Sequence, residues 1–363
     1  MGFERDYKID FPAIHVPESR TFAYRTHLGN WGSVETECVL MRERALDPYT
    51  LRVSVREGES STCAETRRTP ESPVDRAKHE IKRRLHARAP VVDVGGDYAL
   101  ETRFNFLDNY AHLVHDLLGP LCQVRRLLAN DTEAPDAVLR VILPKKAPAL
   151  AIRTLDALEI PYVCTDGRVR GRVIEASSDQ NLSMLKRIAD LPIATLSDEL
   201  PRKVFVSRRG KRTITNESEV WPFLEARGYA RFFMEELTLE DQWSLLGRAE
   251  HVVGIHGAGL SNLAFCLHAN EARTPRFRLV ELHSAGYANN CFRLYAAILG
   301  GHWTGVRGRL ESAIVRDLDE KEDLFAHQMA SFEVDLTALE EALDFSARAE
   351  FAPANSRARA EAD

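Results

Sequence analysis

The sequence predicts an α/β protein made of two similar halves, each a layer of mostly parallel strands flanked by helices. Three observations carry that prediction. Short apolar runs of strand length alternate with amphipathic runs of helix length, which is the pattern of strand–helix–strand units. The pattern pauses at the polar residues 195–201 and then begins again. In the second half, HVVGIHGAGLSNLAF (residues 251–265) passes from an apolar strand through a turn with three glycines, Gly254, Gly257 and Gly259, into a helix start. Such a junction leaves backbone N–H groups free at the helix end, where an anion such as a diphosphate can sit. The helix end favours a negative group by about 0.3–1 kcal/mol. That positions a nucleotide but does not hold it alone.

A chain of 363 residues accommodates two ordinary domains. They are expected at 1–198 and 199–349, with 350–363 a disordered tail. Hydrophobic content of 44% and charged content of 28% are globular values, and a net charge of −6 argues against a nucleic-acid partner. The six cysteines are scattered without a C-x-x-C, which excludes a zinc knuckle or redox pair and fits reduced core thiols. The N-terminus has no signal-peptide-like apolar run, and no run reaches the roughly 18 apolar residues of a membrane span. The expected location is the cytoplasm, with peripheral association at the inner face of the plasma membrane left open.

Residues 34–41 and 51–55 read as strands and 58–62 as a loop. Ser72-Pro73 sets up a helix over 74–87, with Ser72 as cap and Pro73 at its first position. Its basic tail, Lys82-Arg83-Arg84, reads as a solvated face that suits the helix dipole. A strand at 91–94 leads to NYAHLVHDLLGPL, a helix from Asp108 with a kink expected near Gly119-Pro120. Asn109, His112 and Asp116 fall on one face of that helix, with His115 to the side. A capping asparagine beside a solvated face would explain the trio; a polar face lining a cleft is the other reading. Strands at 137–143, 161–164 and 172–174 and a helix at 147–158 complete the first half.

In the second half, Lys203-Val204-Phe205-Val206 is a strand followed by the basic loop Ser207–Arg212. Asn216 and Glu219 have capping-box spacing for a helix over 220–227. A strand at 231–234, a helix capped by Thr238, the glycine turn, a strand at 277–282 and a helix at 290–299 follow. Arg208, the Gly257 turn and Glu281 all fall just past predicted strand ends, the edge where such sheets bind ligands. Arginine forks there can neutralise a diphosphate, and a strand-end carboxylate can accept two ribose hydroxyls. The glycine spacing lacks the third glycine of G-x-G-x-x-G, with Asn262 in its place. There is no Gly-Lys-Ser/Thr phosphate loop and no G-x-S-x-G elbow. A dinucleotide oxidoreductase and a lipase-type hydrolase are therefore disfavoured.

KVFVSRRGKRTITNESEV, then EELTLEDQWSLLGRAEHVVGIHGAGLSNLAF, then LVEL and FRLYAAILGGHW resemble the glycosyltransferase family 61 domain over residues 91–303. The likeness is most specific over 204–265. NYAHLVHDLLGPL resembles the family's asparagine-tyrosine-x-histidine helix, with Leu113 where tryptophan is frequent; Trp303 stands where tyrosine is usual. The resemblance implies a GT-B architecture of two Rossmann-like domains facing across a cleft. It also implies inverting, metal-independent transfer from a nucleotide sugar, with a UDP-sugar the expected co-substrate, no cofactor and no metal. The acceptor would be a glycan or lipid-linked glycan, as in bacterial surface-polysaccharide synthesis. Donor-side positions are Arg208, Arg209, Asn216, Glu217, His256, Gly257, Ala258, Gly259 and Glu281; His112 is on the acceptor side. Asp116, one turn from His112, is the preferred general base, with His112 orienting the acceptor. The alternative is a transferase-like protein that binds nucleotide sugars without turnover.

Overall fold

The computed structural model describes residues 4–23, 26–27, 33–34, 38–63, 72–103, 105, 107–129, 136–178, 181–191, 193, 199–268, 277–286, 289–319, 325–349 and 351. Residues 195–198 of the expected linker, and the expected tail apart from Phe351, lie outside them. The fold is α/β, as expected. By contacts the chain divides into two compact units, residues 1–13 with 47–193 and residues 14–46 with 194–363.

The first unit holds a six-stranded sheet in the order Glu4–Phe11, Tyr49–Glu59, Val169–Ser177, Val92–Glu101, Leu139–Leu143, Tyr162–Cys164. The last four run parallel and the first two pair antiparallel. Tyr49, Leu51, Val53 and Val55 are buried in alternation, the period-2 signature of a half-buried strand. That strand extends through Gly58 and Glu59, which the sequence reading gave to a loop. The helix Pro73–Ala87 forms as expected: Asp75 N–H donates to Ser72 Oγ at 3.1 Å, with proline in the first turn. At the end of Val92–Glu101 a buried Arg103–Glu101 pair is fastened to the Gly167 and Ser61 carbonyls. It anchors the chain just before the helix that carries His112.

That helix runs as Tyr110–His112, a π-turn Leu113–Leu118, and Gly119–Leu128. Pro120, where a kink was expected, explains the π-turn. Proline lacks an N–H and its ring crowds the carbonyl four residues earlier, Asp116. The backbone widens by one residue per turn there, and Asn105 Nδ2 donates to the Asp116 carbonyl at 2.9 Å. A single π-turn inside an α-helix is frequent at functional sites.

The second unit holds a seven-stranded sheet in the order Ala230–Phe233, Lys203–Ser207, His251–Ile255, Arg278–His283, His302–Arg307, Ser19–Ala23, Val39–Met41. All pairs are parallel except the last. Residues 14–46, assigned from sequence to the first domain, thus supply two strands here. Arg293 holds them by donating to the Pro17, Met41 and Arg42 carbonyls at 2.9, 3.1 and 2.7 Å. One sheet face packs Phe205, Val253, Val280 and Val306 against Ala338, Leu339 and Ala342 of the helix Leu336–Arg348. Among the described residues, no helix is long and apolar enough to cross a membrane.

Candidate functional site

The other face of the second sheet carries polar groups toward its carboxyl edge. The strand registers align Val206 with Gly254, Gly254 with Glu281, and Glu281 with Gly305. Register partners share a face, and the next residues on that face lie two positions on. They are Arg208, His256, His283 and Arg307. His283 and Arg307 are register partners; the His256 N–H donates to the Leu282 carbonyl at 2.9 Å; and Arg208 Nη1 donates to the His256 carbonyl at 3.3 Å. At about 4.8 Å per strand the row spans about 14 Å. Two guanidinium groups and two imidazoles therefore line the edge of four neighbouring strands.

Beneath the row lies one carboxylate. Glu281 is fully buried. His256 Nδ1 sits 2.6 Å from its Oε1; Trp303 Nε1 donates to Oε2 at 2.6 Å; and His283 Nε2 lies 3.3 Å from Oε2. Burial alone would raise its pKa, but His283 and His256 outweigh it and hold the group down at about 2. In place of the expected open carboxylate for ribose hydroxyls, Glu281 is a buried anchor for two imidazoles. Trp303, where the resemblance has tyrosine, supplies one of its donors. Gly305 makes room: a Cβ there would stand 2.8 Å from the Trp303 ring.

The glycine turn works through close approach, since Gly254, Gly257 and Gly259 are not among the positive-φ glycines. Gly254 belongs to the strand His251–Ile255, and a Cβ on it would meet Leu260 at 2.5 Å. A Cβ on Gly257 would strike the Arg208 guanidinium, and one on Gly259 would meet Met234 at 2.9 Å. Ala258 opens a helix, Ala258–His268, of 3₁₀ rather than α form. Asn262 steadies its first turn, donating to the Gly259 carbonyl at 2.9 Å and to Gln242 Oε1 at 3.1 Å.

Arg208 is half-buried, and burial lowers its pKa, with Glu235 opposing. Arg212, in the left-handed region at φ 60°, aims Nη1 at the same His256 carbonyl at 3.4 Å. Two cations thus converge on one carbonyl. Burial lowers the pKa of Arg307 as well, and its buried Nε has no hydrogen-bond partner among the described residues.

Arg209, by contrast, is exposed, pairs with Glu236 at 2.6 Å and lies over the Phe233 ring. Asn216 makes no side-chain cap, so the expected capping box is not formed. Its amide instead pairs with the Val334 backbone at 2.8 and 3.0 Å. Glu217 accepts from Ser207 Oγ at 2.7 Å and Arg231 Nη1 at 3.1 Å. It shares the wall of an open pocket of about 500 Å³ with Arg208, Trp221, Arg231 and Phe233.

In the first unit, His112 Nδ1 lies 2.7 Å from Asp116 Oδ2 and His115 Nδ1 lies 2.7 Å from Asp116 Oδ1. Asn109 is the helix cap, accepting from Ala111 N–H at 3.0 Å. α-Helical geometry sets His115 aside from Asp116; the π-turn, with more residues per turn, lets both imidazoles reach one carboxylate. His112, His115 and Asp116 form one trio of potential metal ligands, and His256, Glu281 and His283 another, each with its donor atoms within 4.8 Å of one another.

Sequence reasoning missed His115, Arg212, His283 and Arg307. Arg212 lay in the basic loop already singled out, and His283 was recoverable as the residue two beyond Glu281 on the same strand face. Arg307 had no local signal, because only the strand order brings it to this edge.

Fold and site together define an α/β protein with a basic sheet edge in one unit and a His–Asp–His group in the other. Residues 110–271, which include the His112 helix and the glycine turn, match the glycosyltransferase 61 family model, the family the sequence resembles. The activity of that family in general is glycosyl transfer, with a sugar donor and an acceptor. No curated protein gives a significant match.

Proposed function

We propose that the chain is an inverting, metal-independent glycosyltransferase of the GT-B type. It moves a sugar from a nucleoside-diphosphate sugar, with UDP the expected carrier, to a hydroxyl of a glycan or lipid-linked glycan. Bacterial surface-polysaccharide synthesis at the cytoplasmic side is the setting this reading implies. The observation that carries it is the basic row Arg208, His256, His283, Arg307, with Arg212 beside it, at the carboxyl edge of a parallel sheet. The diphosphate lies against Arg208, Arg212 and the amides of Gly257, Ala258 and Gly259. The base lies toward the Trp221–Phe233 pocket, where Arg209 and Glu217 stand, and the sugar lies toward His283 and Arg307.

His112 is the general base and Asp116 positions it, the reverse of the assignment preferred from sequence. A carboxylate that accepts from Nδ1–H keeps the acceptor lone pair of the ring on Nε2. Both Asp116 oxygens are engaged by imidazoles, which suits an orienting group better than a base. The acceptor hydroxyl gives its proton to His112 Nε2 as its oxygen attacks the anomeric carbon. The bond to the diphosphate breaks, and the electron pair leaves on the phosphate oxygen facing the guanidinium groups.

A thermal-shift panel of UDP-, GDP-, CMP- and dTDP-sugars, followed by a transfer assay with the hit, tests the reading. Turnover should persist in EDTA; a strict Mg²⁺ or Mn²⁺ requirement would remove the metal-free part. Arg208→Ala should keep the fold by circular dichroism and lower kcat by about 10²-fold or more, the scale of losing one preorganised charge contact. Unchanged turnover in that variant would remove its role on the leaving group.

A further inference from the structure

The helix Pro73–Ala87 is turned inside out. None of its 15 residues is buried, and Val74, Ile81 and Leu85 are 62%, 60% and 60% exposed. At 100° per residue these three form one stripe. Lys78 and Lys82 flank it on one side and Arg84 on the other. The residues with reduced exposure are polar: His79, Glu80 and His86, with His86 at 3.7 Å from Asp166. A surface helix of a globular protein does the opposite, with its apolar stripe on the core. Charge is also inverted relative to the whole. The helix carries five basic residues against two acidic ones, in a chain of net charge −6.

We propose that this helix is a lipid-binding surface that lays its Val74–Ile81–Leu85 stripe into an anionic bilayer. The apolar side chains enter below the headgroups, and the lysine and arginine stems reach back to the phosphates on both flanks. A second copy of the chain would cover the stripe too, but it would bring the same positive flanks against these and be repelled. An anionic surface satisfies stripe and flanks at once. This surface stands on the helix alone and does not depend on which sugar is moved.

Co-sedimentation of the full chain with vesicles tests it. Binding is expected to vesicles containing phosphatidylglycerol, weakly or not at all to phosphatidylcholine alone, and to fall as salt screens the flanks. Ile81→Gln with Leu85→Gln, both good helix formers, should lower the bound fraction by tenfold or more with unchanged far-UV circular dichroism. Lys78→Gln, Lys82→Gln and Arg84→Gln together should abolish the preference for the anionic lipid. The proposal is overturned if the wild type ignores phosphatidylglycerol vesicles or binds both lipids equally. It is also overturned if the double glutamine variant binds as well as wild type, or if that variant only converts a soluble dimer to monomer.

Discussion

Replacing His112 by alanine is expected to lower kcat by about 10²–10⁴, the usual worth of a positioned general base, while donor binding stays near wild type. The geometry behind this is the 2.7 Å contact from His112 Nδ1 to Asp116 Oδ2, which leaves the acceptor hydroxyl to the far nitrogen. Asp116→Asn should cost a large part of the same factor without removing the base, because an amide no longer enforces the Nδ1–H tautomer. His115→Ala should cost less, since it removes only the second imidazole from the carboxylate. Steady-state kinetics of the three variants, with donor binding measured separately, separate the roles. Full activity in the His112→Ala enzyme would end the assignment.

The second large effect is on stability. Glu281→Ala leaves His256, His283 and the Trp303 N–H without their shared acceptor in a fully buried position. Removing one member of a buried charged network typically costs about 3–5 kcal/mol. For a unit of this size that is a fall in Tm of roughly 10 °C. Thermal melts of wild type and variant check it, and a fall under about 2 °C would show that the imidazoles find other partners.

The pH dependence follows from the depressed pKa. The Glu281 carboxyl is held at about 2 against an ordinary 4.5. Its contribution is therefore complete above about pH 5 and lost as the pH falls toward 2, amounting to about 3 kcal/mol at most. The Tm gap between wild type and Glu281→Gln should accordingly be widest near neutrality and close in acid.

The placement of Arg208 and His256 at the sheet edge was legible from the sequence, because each follows a strand end by one residue. Arg208 and His256 were placed by counting past a strand, and the registers bring them side by side. Glu281, expected just past a strand end, lies inside the strand Arg278–His283 and is buried there. Whether such a carboxylate is open or buried depends on what surrounds it in the sheet, here His283 two residues on along the same strand and Trp303 on the adjacent one. Asn216 was likewise given a cap by spacing, when its true partner, the Val334 backbone, lies more than a hundred residues away.

By itself, the sequence determined what local physics decides: the α/β alternation, the cap at Ser72, the glycine junction and the pairing of His112 with Asp116 one turn on. Tertiary structure alone decided the rest. It moved residues 14–46 to the edge of the second sheet, brought Arg307 into line with His283, and drew His115 onto Asp116 through a π-turn opened by Pro120. For the strands the physical reason is that strand order and burial depend on residues far apart in the chain, and no short window of sequence contains both members. For the π-turn it is that the Asp116 carbonyl crowded by Pro120 takes a donor from outside the helix, Asn105.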